Sequence, residues 1–402
     1  MEIKVRACVH NADNITRNTT LKLNSSLLKD KNKIWDCSDT IAYPPFINSH
    51  DHLISNWYPK AALNHPYPNV NVWVEEMKSS DSFLERNKVW INDGKFDLTH
   101  GTAPLIISLG MYKNLFSGCA VVQDHIPKQK KEYYNNNPIN IIKEYTQCHS
   151  LSMGNWWGGK TAEEEYRNTE GKMPFIIHIG EGIDEVAKKC FPRMEELDLL
   201  QPNTLIIHGI VLTRDQIKKC AESGTSICWC PESNLFLIGK TLDIDSCLEF
   251  GVNVVLGTDS TMSGSRNILY EIKFAKKNFP HIPMKEIFRM ISTNARKALF
   301  LQDSYGVLAN ETSNLLLLRM KDLNPFENIL NTLMDDIELF VHQGIPVYGN
   351  LKFLTDFDID RNQYHFFNVH GHKKFVKGHP ELINTKIDSI LGYHKDFPFF
   401  PF

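Results

Sequence analysis

MPFIIHIGE, residues 173–181, opens the stretch whose reading decides the fold. Three runs of the same kind follow it: NTLIIHGIV (203–211), TSICWCPESN (225–234) and VNVVLGTDS (252–260). Each is a short block rich in Ile, Val, Leu or Cys, the composition of a strand buried on both faces in a parallel sheet. Amphipathic segments separate them. One covers about residues 183–199; the next, TRDQIKKCAESG, is a helix with Thr213 as N-cap and Gly224 as its stop; then come LDIDSCLEFG and RNILYEIKFAKKN. The blocks end at His178, His208, Cys230 and Asp259, which are 30, 22 and 29 positions apart. That spacing suits one strand plus one crossover helix each. Residues able to do chemistry sit at the C-terminal end of strand after strand, and in a (β/α)8 barrel those ends converge on one mouth. The expectation is an α/β chain of the TIM-barrel type.

The same rule picks out two upstream runs. IAYPPFINSHDHL (41–53) is an apolar strand ending in His50, Asp51 and His52. Side chains alternate along a strand, so His50 and His52 point the same way and can chelate one ion. CAVVQDHIP (119–127) ends in Asp124 and His125. Three imidazoles (His50, His52, His178) and the Asp259 carboxylate make a donor set suited to one Zn²⁺ or Fe²⁺, zinc being preferred, with a position left for water. Such an ion brings water toward ionisation near neutral pH. Glu181, three residues after His178, is placed to carry the proton, and His208 to polarise the water or the developing oxyanion. Taken singly, each of these residues has an ordinary structural use. Five strand ends in this order do not arise easily by accident.

Composition bounds the rest. At 402 residues, 42% apolar and 23% charged, the chain is an ordinary globular protein with enough length for a large core. A net charge of −3 leaves no electrostatic footprint for nucleic acid or an anionic membrane, so a small molecule is the expected partner. MEIKVRACVHNADN lacks the apolar region of a signal peptide, and no 18-residue apolar run follows, so the expected location is cytoplasmic. Nine cysteines, scattered through apolar segments, read as reduced core residues, including the C-x-C of Cys228 and Cys230.

PPFINSHDHL, VVQDH, HIGEG, IIHGIVLT, CPESNLFL, VVLGTDS and ISTNARKALF, in this order, resemble the amidohydrolase superfamily, specifically its branch of aromatic and cyclic-amidine deaminases and triazine-type hydrolases. The resemblance runs from about residue 41 to 318. It implies a mononuclear site with His50, His52, His178 and Asp259 as ligands, Glu181 as proton shuttle and His208 beside the hydrolytic water. Asp259 would also help deprotonate that water. It further implies a small β-sandwich built from both chain ends, fitting residues 1–40 with 306–375, around a barrel over 41–305. The expected activity is metal-dependent hydrolysis of a C–N bond, preferably deamination of a nitrogen heterocycle. Opening of a cyclic amide, displacement of a halide or alkylamine, and a non-catalytic assembly role are the alternatives.

The chain departs from that pattern in three places. Only 53 positions separate His125 from His178, too few for two complete βα units, so the barrel is expected to be distorted between its second and fifth strands. Binuclear relatives use a carboxylated lysine on the fourth strand, whereas Lys160 here follows no convincing strand, which favours one metal. Asn314 replaces the usual acid before the returning sandwich strand. Candidate substrate contacts are Trp57 and Tyr58 after the first metal motif, Trp156 and Trp157 before a Gly-Gly turn, and the strand-end residues His125 and Asn234. The aromatic tail 376–402 is read as an arm that docks on the barrel or on a second copy in a homodimer.

Overall fold

The structure, a computed structural model, describes residues 1–91, 97–152 and 159–402. The strands in chain order are β1 (Glu2–Asn11), β2 (Asn14–Leu23), β3 (Ile34–Tyr43), β4 (Phe46–Asp51), β5 (Cys119–Asp124), β6 (Asn140–Ile141), β7 (Thr146–Ser150), β8 (Phe175–Ile179) and β9 (Thr204–His208). They continue with β10 (Ser226–Trp229), β11 (Val254–Leu256), β12 (Glu311–Thr312), β13 (Leu315–Arg319), β14 (Ile337–His342), β15 (Ile345–Asn350), β16 (Tyr364–Val369) and β17 (His372–Lys377).

Strands β4 to β11 are the eight strands of the barrel. Every ladder in the order β4-β5-β6 and β7-β8-β9-β10-β11 is parallel. The ring closes between its last and first strands, where the Thr258 and Asp259 amides both donate to the His50 carbonyl at 3.1 Å. Closure demands a close approach there: a Cβ on Gly257 would lie 2.7 Å from the His50 Cβ and 2.8 Å from the Cys228 Sγ. Apart from the first residues of β6 and β7, the barrel strands are buried along their whole length, as their unbroken apolar runs require.

The distortion expected between the second and fifth strands is present. β6 has two residues, and only residues 142–145 connect it to β7, with no helix between. Tyr145 in that link donates its hydroxyl to the Asp124 and Ile126 carbonyls at 2.7 and 2.8 Å, so one side chain fastens the shortened segment to the end of β5.

The other nine strands form one continuous sheet in the order β12-β2-β1-β3-β13-β14-β15-β17-β16. Both chain ends contribute, and Ile3, Leu21, Leu317, Leu339 and Phe375 share a core separate from that of the barrel. The aromatic tail packs on its own chain. Phe397 and Phe399 pack against Trp57 and Tyr58, while Phe400 sits near Phe116. All nine cysteines are free and buried; Cys228 and Cys230 sit with their sulfurs 4.0 Å apart in the core. Among the described residues no helix is long and apolar enough to cross a membrane.

Candidate active site

The strand ends bring His50, His52, His178, His208, Glu181 and Asp259 into one cluster, three ligand atoms at a time within 4.8 Å of one another. His178 Nδ1 lies 2.8 Å from the His149 carbonyl. A carbonyl only accepts, so Nδ1 carries the proton and the Nε2 lone pair faces inward. That Nε2 lies 3.3 Å from His50 Nε2, while Asp259 Oδ1 is 3.8 Å from His50 Nε2 and 3.7 Å from His52 Nε2. Ligand atoms bound to a tetrahedral ion at 2.0–2.1 Å stand about 3.3 Å apart. With Nδ1 of His50 bearing the proton, both Nε2 lone pairs would face one another across a gap of the size a divalent ion fills. The donor set suits such an ion, with inward movement of the donors to complete the shell.

Electrostatics agrees with that fit. Burial, reinforced by the neighbouring imidazoles, pushes His50 and His178 well below the usual histidine range, so both are neutral and able to ligate. Burial alone would raise Asp259. The facing His52 and His208 rings and its hydrogen bonds outweigh it and keep the carboxylate ionised. Oδ2 accepts from the Ser233 and Ser263 hydroxyls at 2.7 and 2.9 Å, and Oδ1 from the Ser260 amide at 2.8 Å. Asp259 and His208 both have left-handed backbones, with φ of 52° and 72°. Non-glycine residues reach that region only when their surroundings hold them there.

Beside the ligands, His208 Nε2 and Glu181 Oε1 are 3.5 Å apart. His208 Nδ1 bonds the Asn234 side-chain carbonyl at 2.7 Å, which makes Nδ1 the donor and leaves Nε2 as an acceptor toward Glu181. Burial, and then the charge of Asp259, push Glu181 well above the usual carboxylate range. A carboxyl of raised proton affinity facing an imidazole lone pair is placed to carry a proton.

A cavity of about 520 Å³ opens over this cluster. Its floor includes His52, His149, His178, Glu181, His208 and Asp259. Its walls come from the excursion between β4 and β5: Val70, Trp73 and Met77 of the helix Val70–Met77, with Phe83, Arg86 and Trp90 from the helix Asp81–Val89 and its cap.

Several substrate-contact expectations need correction. Trp57 is fully buried, its indole N–H donates to Glu85 at 2.8 Å, and it packs under Phe397 outside the cavity. Tyr58 packs against Phe399, also outside the cavity lining. The turn Leu53–Ser55 directs the chain into the protein after the metal motif. His125 is fully buried, its ring 4.3 Å from that of His178, and it does not line the cavity. Asn234 braces His208 and bonds Thr241. Trp156 and Trp157 lie outside the described residues. Lys160 is exposed, ten positions beyond the end of β7, and lines no part of the cavity.

His149, at the end of β7, belongs to the cavity floor and was not singled out, although TQCHSLS carries the same strand-end signature as the other ligand runs. Lys113 was missed too. It is fully buried on the helix Ala103–Leu115, and its ammonium donates to Asp51, to Asn56 Oδ1 at 2.8 Å and to the Asp259 carbonyl at 2.9 Å.

Comparison with known proteins places this geometry. Residues 160–311 match the model of the Amidohydrolase family. A 5-methylthioadenosine/S-adenosylhomocysteine deaminase of Pyrococcus abyssi is 32% identical over 158 residues, 36% of this chain and 37% of the relative. The protein of that description from Pyrococcus horikoshii is 23% identical over 390 residues, 83% of this chain and 89% of the relative. The crystal structure of atrazine chlorohydrolase from Arthrobacter aurescens, complexed with zinc, superposes with a TM-score of 0.67 at 15% identity and covers 97% of this chain and 99% of its own. That likeness supports the barrel-plus-sandwich fold. Taken with the ordered strand-end motifs, these matches relate the chain to the Amidohydrolase family through residues 160–311 and indicate a hydrolase acting on carbon–nitrogen bonds.

Proposed function

We propose that the chain hydrolytically deaminates a nitrogen heterocycle, with His50, His52, His178 and Asp259 holding one zinc ion. The observation that carries this reading is the junction of two units in one cavity: His50 Nε2 within 3.3 Å of His178 Nε2 and 3.8 Å of Asp259 Oδ1, with His52 Nε2 3.7 Å from that same oxygen, and Glu181 facing His208 at 3.5 Å. The deaminase relatives favour ammonia as the leaving group.

The bound ion supplies Lewis acidity, which makes hydroxide accessible as the nucleophile near neutral pH. The remaining steps fall to side chains of the chain. Asp259, held ionised by Ser233 and Ser263, is the base that faces the attacking water. Glu181 delivers its proton to a ring nitrogen as the amino-bearing carbon becomes tetrahedral; on collapse, Asp259 passes the proton it took from water to the departing amine, and the second proton of that water restores Glu181. His208, whose Nδ1–H donates to Asn234, presents Nε2 as an acceptor that orients the attacking water. The cavity walls exclude bulk water and hold a planar ring edge-on to the floor.

Ammonia release by zinc-loaded protein, against nucleobases, nucleosides, pterins, cyclic guanidines and triazines, tests the reading. Glu181→Gln keeps every ligand and removes the proton carrier, so it retains stoichiometric zinc and loses turnover by at least about 10³-fold. Absence of ammonia from a fully zinc-loaded protein across that panel overturns the proposal, and undiminished turnover in Glu181→Gln removes Glu181 from the mechanism.

A further inference from the structure

Arg86 is the buried charge that the proposed mechanism leaves unused. It is 3% exposed and lines the same cavity as the metal-site residues. No carboxylate pairs with it among the described residues. Its guanidinium carbon lies over two aromatic rings, 4.3 Å from the centre of Phe83 and 5.1 Å from that of Trp90. One terminal nitrogen donates to Asn87 at 3.0 Å, the other reaches the Ser55 hydroxyl at a weak 3.4 Å, and Nε has no partner. The indole N–H of Trp90 beside it is likewise buried without an acceptor. The acid among the wall residues, Glu75, is exposed and paired with Lys78.

A guanidinium out of water without a counter-ion costs several kcal/mol, and two ring faces return only part of that. Burial alone lowers its pKa to about 10, so the group stays charged at neutral pH. A fork of donors held by stacking, in the wall of a substrate cavity, matches the geometry of a carboxylate or phosphate.

We propose that Arg86 is the specificity residue of this site and reads an oxyanion, carboxylate or phosphate, carried by the substrate at the end remote from the carbon attacked. The substrate class is then an anionic nitrogen heterocycle, the bound anion supplying the counter-charge that the fold omits. Trp73, Phe83 and Trp90 enclose the ring between that anion and the floor. This inference rests on the proposed deaminase reading for the reacting end of the substrate and on Arg86 alone for the other.

The test has two arms. In calorimetric titrations of zinc-loaded protein, benzoate and its neutral counterpart benzamide serve as ring probes, with the benzamide samples assayed for ammonia so that hydrolysis to benzoate is detected. Benzoate is expected to bind at least 10-fold more tightly than benzamide. Arg86→Gln is expected to abolish the difference while leaving benzamide and zinc content unchanged, and Arg86→Lys to restore part of it. In the second arm, ammonia release is compared within ring pairs that differ only in an acidic group, such as pterin with pterin-6-carboxylate and adenosine with its 5′-monophosphate. The anionic member of the accepted pair is expected to have the higher kcat/KM, by about 100-fold, with most of the difference in KM. Benzoate binding no tighter than benzamide, or Arg86→Gln weakening both probes equally, overturns the role of Arg86. Intact benzoate discrimination with no ammonia from any ring overturns the deaminase reading and leaves the anion site standing.

Discussion

Replacing Lys113 with methionine isolates the buried charge that anchors the metal strand. Lys113 and Asp51 are both fully buried, with Nζ 3.1 Å from one carboxylate oxygen and 3.2 Å from the other. Methionine keeps the length of the stem and removes the ammonium. Asp51 would keep its bonds from Asn114 at 2.8 Å and Asn56 at 3.0 Å, but no opposite charge. Breaking one side of a buried ion pair costs about 3–5 kcal/mol. Domains are stable by only about 5–15 kcal/mol, so the loss is a large fraction of the total. The assay is urea unfolding at pH 7, comparing Lys113→Met, Asp51→Asn and the double variant in a cycle. The double variant carries no unpaired charge, so its loss is expected to fall well below the sum of the single losses, with a coupling of at least about 2 kcal/mol. The same ammonium donates to the Asp259 carbonyl and to Asn56, whose oxygen also takes the Thr261 amide, so zinc affinity is expected to fall in Lys113→Met as well. A loss under about 1 kcal/mol, or strictly additive effects, refutes the assignment of an energetically coupled pair.

Two further outcomes follow from other parts of the barrel. Gly257→Ala places a methyl 2.7 Å from the His50 Cβ, so the ligand strand must shift; the variant is expected to bind zinc at least 10-fold more weakly by competition with a chelator, and wild-type affinity would show that the strand yields freely. Glu271 is fully buried against Glu232, and burial together with that like charge raises its pKa to about 8. A carboxyl raised on folding contributes stability that is complete below about pH 4.5 and disappears as pH rises through 8, here roughly 4–5 kcal/mol. Glu271→Gln is therefore expected to flatten the stability profile between pH 5 and pH 9, and an unchanged slope would remove Glu271 as its source.

What the sequence revealed followed from periodicity. A strand alternates strictly, so His50 and His52 had to share a side, and a parallel barrel collects strand ends, so His178, His208 and Asp259 had to join them. The shortened β6 was legible as a deficit of residues between His125 and His178. His149 escaped because β7 lies beside that irregular segment and reads poorly as a strand. The aromatic wall escaped for a different reason. Trp57 and Tyr58 are near the metal motif along the chain, yet the turn after His52 sends them under the aromatic tail, and Trp73 and Trp90 reach the cavity from two helices further on. Position along an irregular excursion carries no periodicity from which a direction can be read. The Lys113–Asp51 pair, 62 positions apart, is invisible for the same reason.

The placement of these groups divides the chemistry between two parts of the chain. The proposed ligands, Glu181 and His208 come from β4, β8, β9 and the ends that follow them or β11, so their spacing is fixed by barrel geometry. Val70, Trp73, Met77, Phe83, Arg86 and Trp90 all come from the excursion between β4 and β5, which is free to vary without moving a strand. That excursion is not independent of the floor, however. The helix Ala103–Leu115 that ends it returns Lys113 to Asp51 and to the Asp259 carbonyl, and a Cβ on its Gly110 would lie 2.7 Å from Asn56 Nδ2 and from the Leu53 carbonyl. Substitutions in its two wall helices are expected to change which ring is accepted, whereas substitutions in the returning helix are expected to change whether the metal ligands assemble at all. Arg86→Gln and Lys113→Met sit on opposite sides of that division, and only the second should alter zinc content.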